Sequence, residues 1–257
     1  MVTLALPRDY SAVTASTALT DDERDRIDVT LRDSRFKIVY QPIVDLRRQT
    51  IFAYEALVRA ELFRSPPELI ECAVRAGRLG ELGRAMRERT MSDCSTHALF
   101  VNIHPAELNE RYLVQPDDPI FRHPEELYLE LTEAVPLSKL DVSASVLKEI
   151  ADRGVHLVVD DLGSGYSNLR YLADLNPKVV KIDRELVMGL QKGSRRFTLM
   201  RNLVRMCNEL GALVVAEGIE TPQEFAAVVD AGVQLGQGYV LARPSFPPPQ
   251  YAWPLRP

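Results

Sequence analysis

Cysteine is scarce in this chain. Cys72, Cys94 and Cys207 are an odd number of thiols scattered along it. They form neither a disulfide framework nor a zinc-binding spacing, so a reducing, cytoplasmic setting is expected. Histidine is nearly as rare: His97, His104, His123 and His156 stand without a nucleophile–base or zinc spacing and read as structural or exposed. No stretch approaches the roughly 18 consecutive apolar residues of a membrane-spanning helix. The N-terminus lacks the basic region and apolar stretch of a signal peptide, so membrane insertion is not expected. Positive charge is also in deficit, with 31 Lys and Arg against 36 Asp and Glu for a net charge of −5. A protein that grips long nucleic acid by its phosphates needs a basic face, which excludes that partner. If a substrate carries phosphate, something other than bulk charge must attract it.

What is present is a chain of 257 residues, 46% hydrophobic and 26% charged, enough for one α/β barrel of about 250 residues. Residues 1–19 show no period and read as a flexible leader. Thr20-Asp21-Asp22-Glu23 is a capping-box pattern, so 20–35 should hold a charged helix, running to about Arg32, packed on or near the main domain. It reads either as a solvated surface helix or as a contact to an upstream partner or dimer mate.

From Phe36 to the end (36–257) the pattern is one domain. Short apolar runs alternate with helix-length segments: Phe36–Gln41, Ile51–Val58, Leu99–Ile103, Leu127–Leu131, His156–Val159, Val179–Ile182, Leu213–Ala216 and a weaker run near Val233–Leu235. Eight strands with intervening helices, among them Pro67–Ala76, Asp141–Arg153 and Phe197–Leu210, imply a closed barrel. Only about nine residues separate the first two runs, too few for a helical crossover. They should form a hairpin, which makes the first strand antiparallel. The Pro-rich tail from Pro244 should wrap the surface.

The chemistry lies in polar residues that interrupt these runs: Glu55, Asn102, Glu130, Asp160 with Asp161, Lys181 and Glu217. Ionised groups are rarely buried unless paired or bound to metal. In a parallel barrel the C-terminal strand ends converge on one mouth, where active sites sit. Five carboxylates meeting there would raise each other's pKa unless cations compensate, and Lys181 supplies one positive charge. Oxygen ligands suit hard divalent cations, Mg²⁺ or Mn²⁺, and a pair of them suits displacement at a phosphodiester. Gly163-Ser164-Gly165 follows a strand but lacks the third glycine of a dinucleotide fingerprint, since position 168 is Asn. A mobile loop over a metal site fits better. Arg59 and Arg243 are candidate phosphate contacts. Asp183 and Glu185, beside Lys181, are expected to form ion pairs rather than to ligate metal.

Taken together, these residues resemble the EAL family of cyclic di-GMP phosphodiesterases. The resemblance runs from Phe36 to Pro244 through Gln41-Pro42, Glu55-Ala56-Leu57, Val101-Asn102, Glu130-Leu131-Thr132-Glu133, Asp160 to Ser167, Lys181-Ile182-Asp183-Arg184, Ala216 to Glu220 and Gln237-Gly238-Tyr239. It implies a modified TIM (β/α)8 barrel with an antiparallel first strand. It also implies a cyclic-guanylate-specific phosphodiesterase that uses two Mg²⁺ or Mn²⁺ ions to open cyclic di-GMP to linear pGpG. Carried over, Glu55, Asn102, Glu130 and Asp160 would hold one metal. Asp160 would bridge to a second, held with Asp161 and, directly or through water, Glu217 and Gln237. Glu55, Lys181 and Glu217 would be the catalytic residues, with Lys181 orienting the attacking water. Gln41, Leu57, Arg59, Asp183, Gln237 and Arg243 would contact substrate. Glu133 and Ser167 would anchor the Gly163–Ser167 loop, beside which the family commonly forms homodimers. Leu162 and Ser164 are mild departures. The stretch Ala60 to Pro67 is shorter than usual and lacks the family's His-Pro and Gly turn. An alternative is a catalytically weak domain that acts as a cyclic di-GMP receptor or protein-interaction module. A different metal-dependent barrel hydrolase would leave the other matched motifs unexplained.

Overall fold

A computed structural model describes residues 19–109, 113, 115–132, 140–163 and 169–254. Eight strands close into a barrel in sequence order: β1 (Phe36–Asp45), β2 (Thr50–Ala60), β3 (Leu99–Asn102), β4 (Leu127–Thr132), β5 (His156–Leu162), β6 (Val179–Ile182), β7 (Leu213–Ala216) and β8 (Leu235–Gly236). β1 runs antiparallel to both neighbours and all other pairs are parallel. The fold is therefore an α/β barrel with an antiparallel first strand. The hairpin is tighter than the apolar runs imply, because β1 continues through Pro42 to Asp45. Proline is tolerated there because β8 pairs with β1 only at Val44 and Asp45, which leaves one edge of β1 incompletely laddered at Pro42.

The helices are α1 (Asp21–Arg32), α2 (Pro66–Arg75), α3 (Leu79–Asp93), α4 (Pro105–Asn109), α5 (Leu140–Asp152), α6 (Arg170–Leu175), α7 (Arg184–Val187), α8 (Arg195–Glu209) and α9 (Pro222–Asp230). No helix among the described residues is long and apolar enough to cross a membrane. Two apolar layers lie between the strands and these helices, one under α5 and the other under α8 and α9. The tail crosses the hairpin: Ser245 bridges to Tyr40, and Tyr54 Oη donates to the Pro249 carbonyl at 3.0 Å.

α1 begins with the capping box at Thr20 and Glu23. It buries Ile27 completely against Leu69, Leu82 and their neighbours on α2 and α3. Its charged face is not simply solvated, since Glu23 meets Arg75, Arg26 meets Glu68 and Asp28 meets Arg78. The Arg75 guanidinium, with the Thr20 amide, lowers the Glu23 carboxyl from 4.5 to about 2. A depressed carboxyl stabilises the docked helix above its unfolded value and ceases to do so as pH falls through the folded one. Protection factors across α1, taken relative to intrinsic exchange rates, should therefore fall between about pH 4.5 and 2, and Glu23→Gln should diminish that step. An unchanged acid profile in the variant would contradict this role.

Candidate metal centre

Within a barrel, alternate residues of each strand face the axis. One buried apolar residue from every strand builds a single interior layer: Ile43, Ala53, Phe100, Tyr128, Val158, Val179, Val215 and Leu235. Two residues nearer the mouth, on or just past each strand, stand Gln41, Glu55, Asn102, Glu130, Asp160, Lys181, Glu217 and Gln237. For antiparallel β1 the step runs backwards along the chain. The polar set is thus the next interior layer, laid on an apolar floor in which Phe100 and Tyr128 stack at 4.4 Å.

Lys181, 1% exposed, is its hub. The Nζ lies 2.6 Å from Glu130 Oε1, 2.7 Å from Glu217 Oε1, 3.3 Å from Asp160 Oδ1 and 3.6 Å from Glu55 Oε1. Glu55 also accepts from Gln237 Nε2 at 2.6 Å and from Asn102 Nδ2 at 3.3 Å. Gln237 Nε2 reaches Gln41 Oε1 at 3.3 Å.

Successive strand residues point to opposite faces, so Asp160 and Asp161 should not both reach the mouth. A β-bulge lets them do so. The β5–β6 register shifts between Val159 and Leu162, and Asp161 adopts a left-handed φ of 60°. Asp is among the few side chains that tolerate that conformation. Asp161 N donates to Asp160 Oδ1 at 3.0 Å. Asp160, Asp161 and Glu217 thereby bring one carboxylate oxygen each within 4.8 Å of one another.

Close backbone approach places Gln237. A Cβ on the next residue, Gly238, would fall on the backbone nitrogen and carbonyl oxygen of Ile219, and Ile219 N donates to the Gln237 carbonyl at 3.1 Å. Gly238→Ala should cost about 2–4 kcal/mol in a denaturant titration. A change below about 0.5 kcal/mol would contradict the packing. On the opposite side, buried Arg87 joins Glu107 at 2.7 Å and Asp118 at 2.9 Å, and Glu107 accepts the His104 amide at 3.2 Å. This ties α3 and α4 to the segment that follows Asn102.

Burial, the largest influence, raises the Glu130, Asp160 and Glu217 carboxyls; Lys181 pulls them down and neighbouring carboxylates push them further up. Burial also opposes charge on Lys181, but the fields of Asp160, Glu130, Glu217 and Glu55 outweigh it and hold the ammonium well above its ordinary value. Five carboxylates against one ammonium leave four formal negative charges, the charge that two divalent cations neutralise. Among the described residues, Glu130 Oε2 and Gln237 Oε1 are buried without a hydrogen-bond partner, a state that is costly unless another donor or a cation meets them. The donors are all oxygen, which fits Mg²⁺ or Mn²⁺.

A cavity of about 800 Å³ opens over this layer. Gln41, Leu57, Arg59 and Asp183 line it, and Asp183 Oδ1 also caps α7 by accepting the Glu185 amide at 2.7 Å. Glu55, Leu57 and Arg59 share a face of β2 through the strand's period of two. Arg243 stands apart: its guanidinium lies 4.1 Å from the centre of the Tyr239 ring, and Tyr239 rather than Arg243 lines the cavity. Glu133 and Ser167 lie outside the described residues. The cavity also gathers Arg64, Ser65, Pro67 and His104, none of which belongs to the motifs that pointed to the site. Burial lowers His104 to about 4, and its Nδ1 accepts the Ala106 amide at 3.2 Å. For that group, His-Pro directly before a short helix was the available signal.

Comparison with known proteins adds relatives to this geometry. The chain is 32% identical over 234 residues to the cyclic di-GMP phosphodiesterase NbdA of Pseudomonas aeruginosa, covering 83% of this chain and 29% of NbdA. It is 28% identical to the blue light- and temperature-regulated antirepressor BluF of Escherichia coli, covering 84% of this chain and 56% of BluF. It thus spans well under two thirds of either relative. The manganese/cyclic di-GMP complex of Klebsiella pneumoniae BlrP1 superposes with a TM-score of 0.72 at 28% identity, covering 82% of this chain and 56% of that one. Residues 24–244 match the EAL domain model, and the chain belongs to the EAL domain family.

Proposed function

We propose that this protein hydrolyses cyclic di-GMP to linear pGpG at the barrel mouth. The observation that carries the reading is the polar interior layer, in which seven side chains converge on Lys181 or Glu55 with an unneutralised negative charge. Glu55, Asn102, Glu130 and Asp160 would hold one divalent cation; Asp160 and Asp161 and, directly or through water, Glu217 and Gln237 would hold the second. Such ions, Mg²⁺ or Mn²⁺, supply Lewis-acid stabilisation of the charge that develops on the phosphodiester and make water a better nucleophile. Lys181, fixed by Glu130 and Glu217, presents its ammonium donors to orient the attacking water. Glu55 and Glu217 complete the catalytic set by holding Lys181 and the cations in one geometry. Gln41, Leu57, Arg59, Asp183 and Gln237 face the space where the cyclic dinucleotide would lie, with Arg59 suited to a phosphate oxygen. Arg243, held on Tyr239, is a more distant contact. Glu133 and Ser167 remain the proposed loop anchors. Homodimerisation beside that loop is part of the reading, supported by the half-exposed apolar side chains of Leu169 and Met188.

The name of BluF, an antirepressor, supports a second reading: a domain that binds cyclic di-GMP or a protein without turnover. Incubation of the purified protein with cyclic di-GMP and Mg²⁺ or Mn²⁺, with products resolved chromatographically, separates the two. Metal-dependent pGpG is expected. Tight binding of cyclic di-GMP without turnover in either metal would replace the enzyme by the receptor.

A further inference from the structure

We infer that Arg26, on helix α1, is a positioning residue for the substrate-facing loop between β2 and α2. The inference rests on the proposed function only in naming cyclic di-GMP as what the loop meets. The stretch from Ala60 to Pro67 links the end of β2 to the first turn of α2. The loop continues from Arg59, and Arg64, Ser65 and Pro67 line the same cavity as Glu55 and Asp160.

The Arg26 guanidinium and the Glu68 carboxylate it holds secure the two sides of Phe63. Arg26 Nη1 donates to the Leu62 carbonyl at 3.2 Å and to Glu68 Oε1 at 3.0 Å. The other Glu68 oxygen accepts the Arg64 amide at 2.8 Å. The Arg26 guanidinium carbon also lies 5.0 Å from the centre of the Phe63 ring, itself buried. Arg26 therefore contacts the carbonyl before Phe63 and its ring directly, and reaches the amide after it through Glu68. Arg26 does not line the cavity, so it acts through the loop. Asp22, one turn back on α1, lies 3.1 Å from Arg26 Nε, while the pairs that join α1 to other helices elsewhere are Glu23 with Arg75 at the end of α2 and Asp28 with Arg78 at the start of α3. Helix docking and loop positioning can thus be tested separately on the same helix.

The experiment compares Arg26→Ala, Arg26→Lys and Glu23→Gln in steady-state hydrolysis of cyclic di-GMP with Mn²⁺, and in hydrogen exchange of the ligand-free protein. Arg26→Ala should raise KM roughly three- to tenfold, as loss of charge-assisted hydrogen bonds implies, with kcat within about twofold. Arg26→Lys reaches fewer acceptors and should restore part of the loss. Glu23→Gln should leave KM within about twofold. The Arg64 amide should exchange faster in Arg26→Ala and not in Glu23→Gln. Equal KM changes in Arg26→Ala and Glu23→Gln would overturn the inference, because they would report helix undocking alone. An unchanged KM in Arg26→Ala would overturn it as well. If the wild-type protein binds without turnover, Kd for cyclic di-GMP replaces KM in the same comparison. If it does not bind cyclic di-GMP, the functional reading fails while the exchange contrast still decides the role of Arg26: selective loss of Arg64 protection upholds it, and equal protection in both variants overturns it.

Discussion

Asp160→Asn should lower the rate of pGpG formation by about 10²–10³-fold, the scale on which loss of one group that stabilises transition-state charge is felt, while the protein stays folded. Asp160 is the residue shared between the two proposed cation positions, so its charge counts twice. The substitution is nearly isosteric. Asn keeps an oxygen that can accept the Asp161 amide, now received by Asp160 Oδ1 at 3.0 Å, so the bulge that turns Asp161 into the mouth should persist. A thermal midpoint measured alongside separates lost chemistry from lost fold. Turnover within about tenfold of wild type would remove Asp160 from the bridging position.

Lys181→Met should produce the largest change in stability. The ammonium is buried and contacts Glu130, which is fully buried. Breaking such a pair leaves a buried carboxylate uncompensated at a cost of about 3–5 kcal/mol. In a protein of this size that corresponds to a fall in Tm of roughly 6–20 °C without divalent cations. Because the excess negative charge is larger in the variant, Mn²⁺ should raise its Tm further than it raises that of the wild type. Turnover should fall more than substrate affinity. Identical metal-induced shifts in the two proteins would contradict the place of Lys181 at the centre of the layer.

Much of this site was legible in the sequence because barrel strands alternate inside and outside with a period of two. Val158 and Asp160, Val179 and Lys181, or Val215 and Glu217 repeat one pattern, an apolar interior residue followed two positions on by a polar one. The hairpin was legible from the short spacing between the first two apolar runs. What eluded the sequence has local physical causes. The bulge at Asp160–Asp161 depends on a register shift against β6, a pairing across the chain that no run of residues within β5 encodes. β8 is only Leu235–Gly236, too short to show alternation, so Gln237 entered through resemblance rather than pattern. α3 presents a weak amphipathic signal because it buries Arg87 and Thr90 along with Leu79 and Leu82. What the charged face of α1 meets was not legible locally, because its ion-pair partners, Glu68, Arg75 and Arg78, lie roughly fifty residues away.

If the acidic layer seats two divalent cations, as proposed, the stoichiometry of Mn²⁺ binding must show both. Equilibrium titration of the metal-free protein in the presence of cyclic di-GMP should give two equivalents per chain, falling in Asp160→Asn. A single equivalent in the wild type, or a stoichiometry unaffected by Asp160→Asn, would contradict the account.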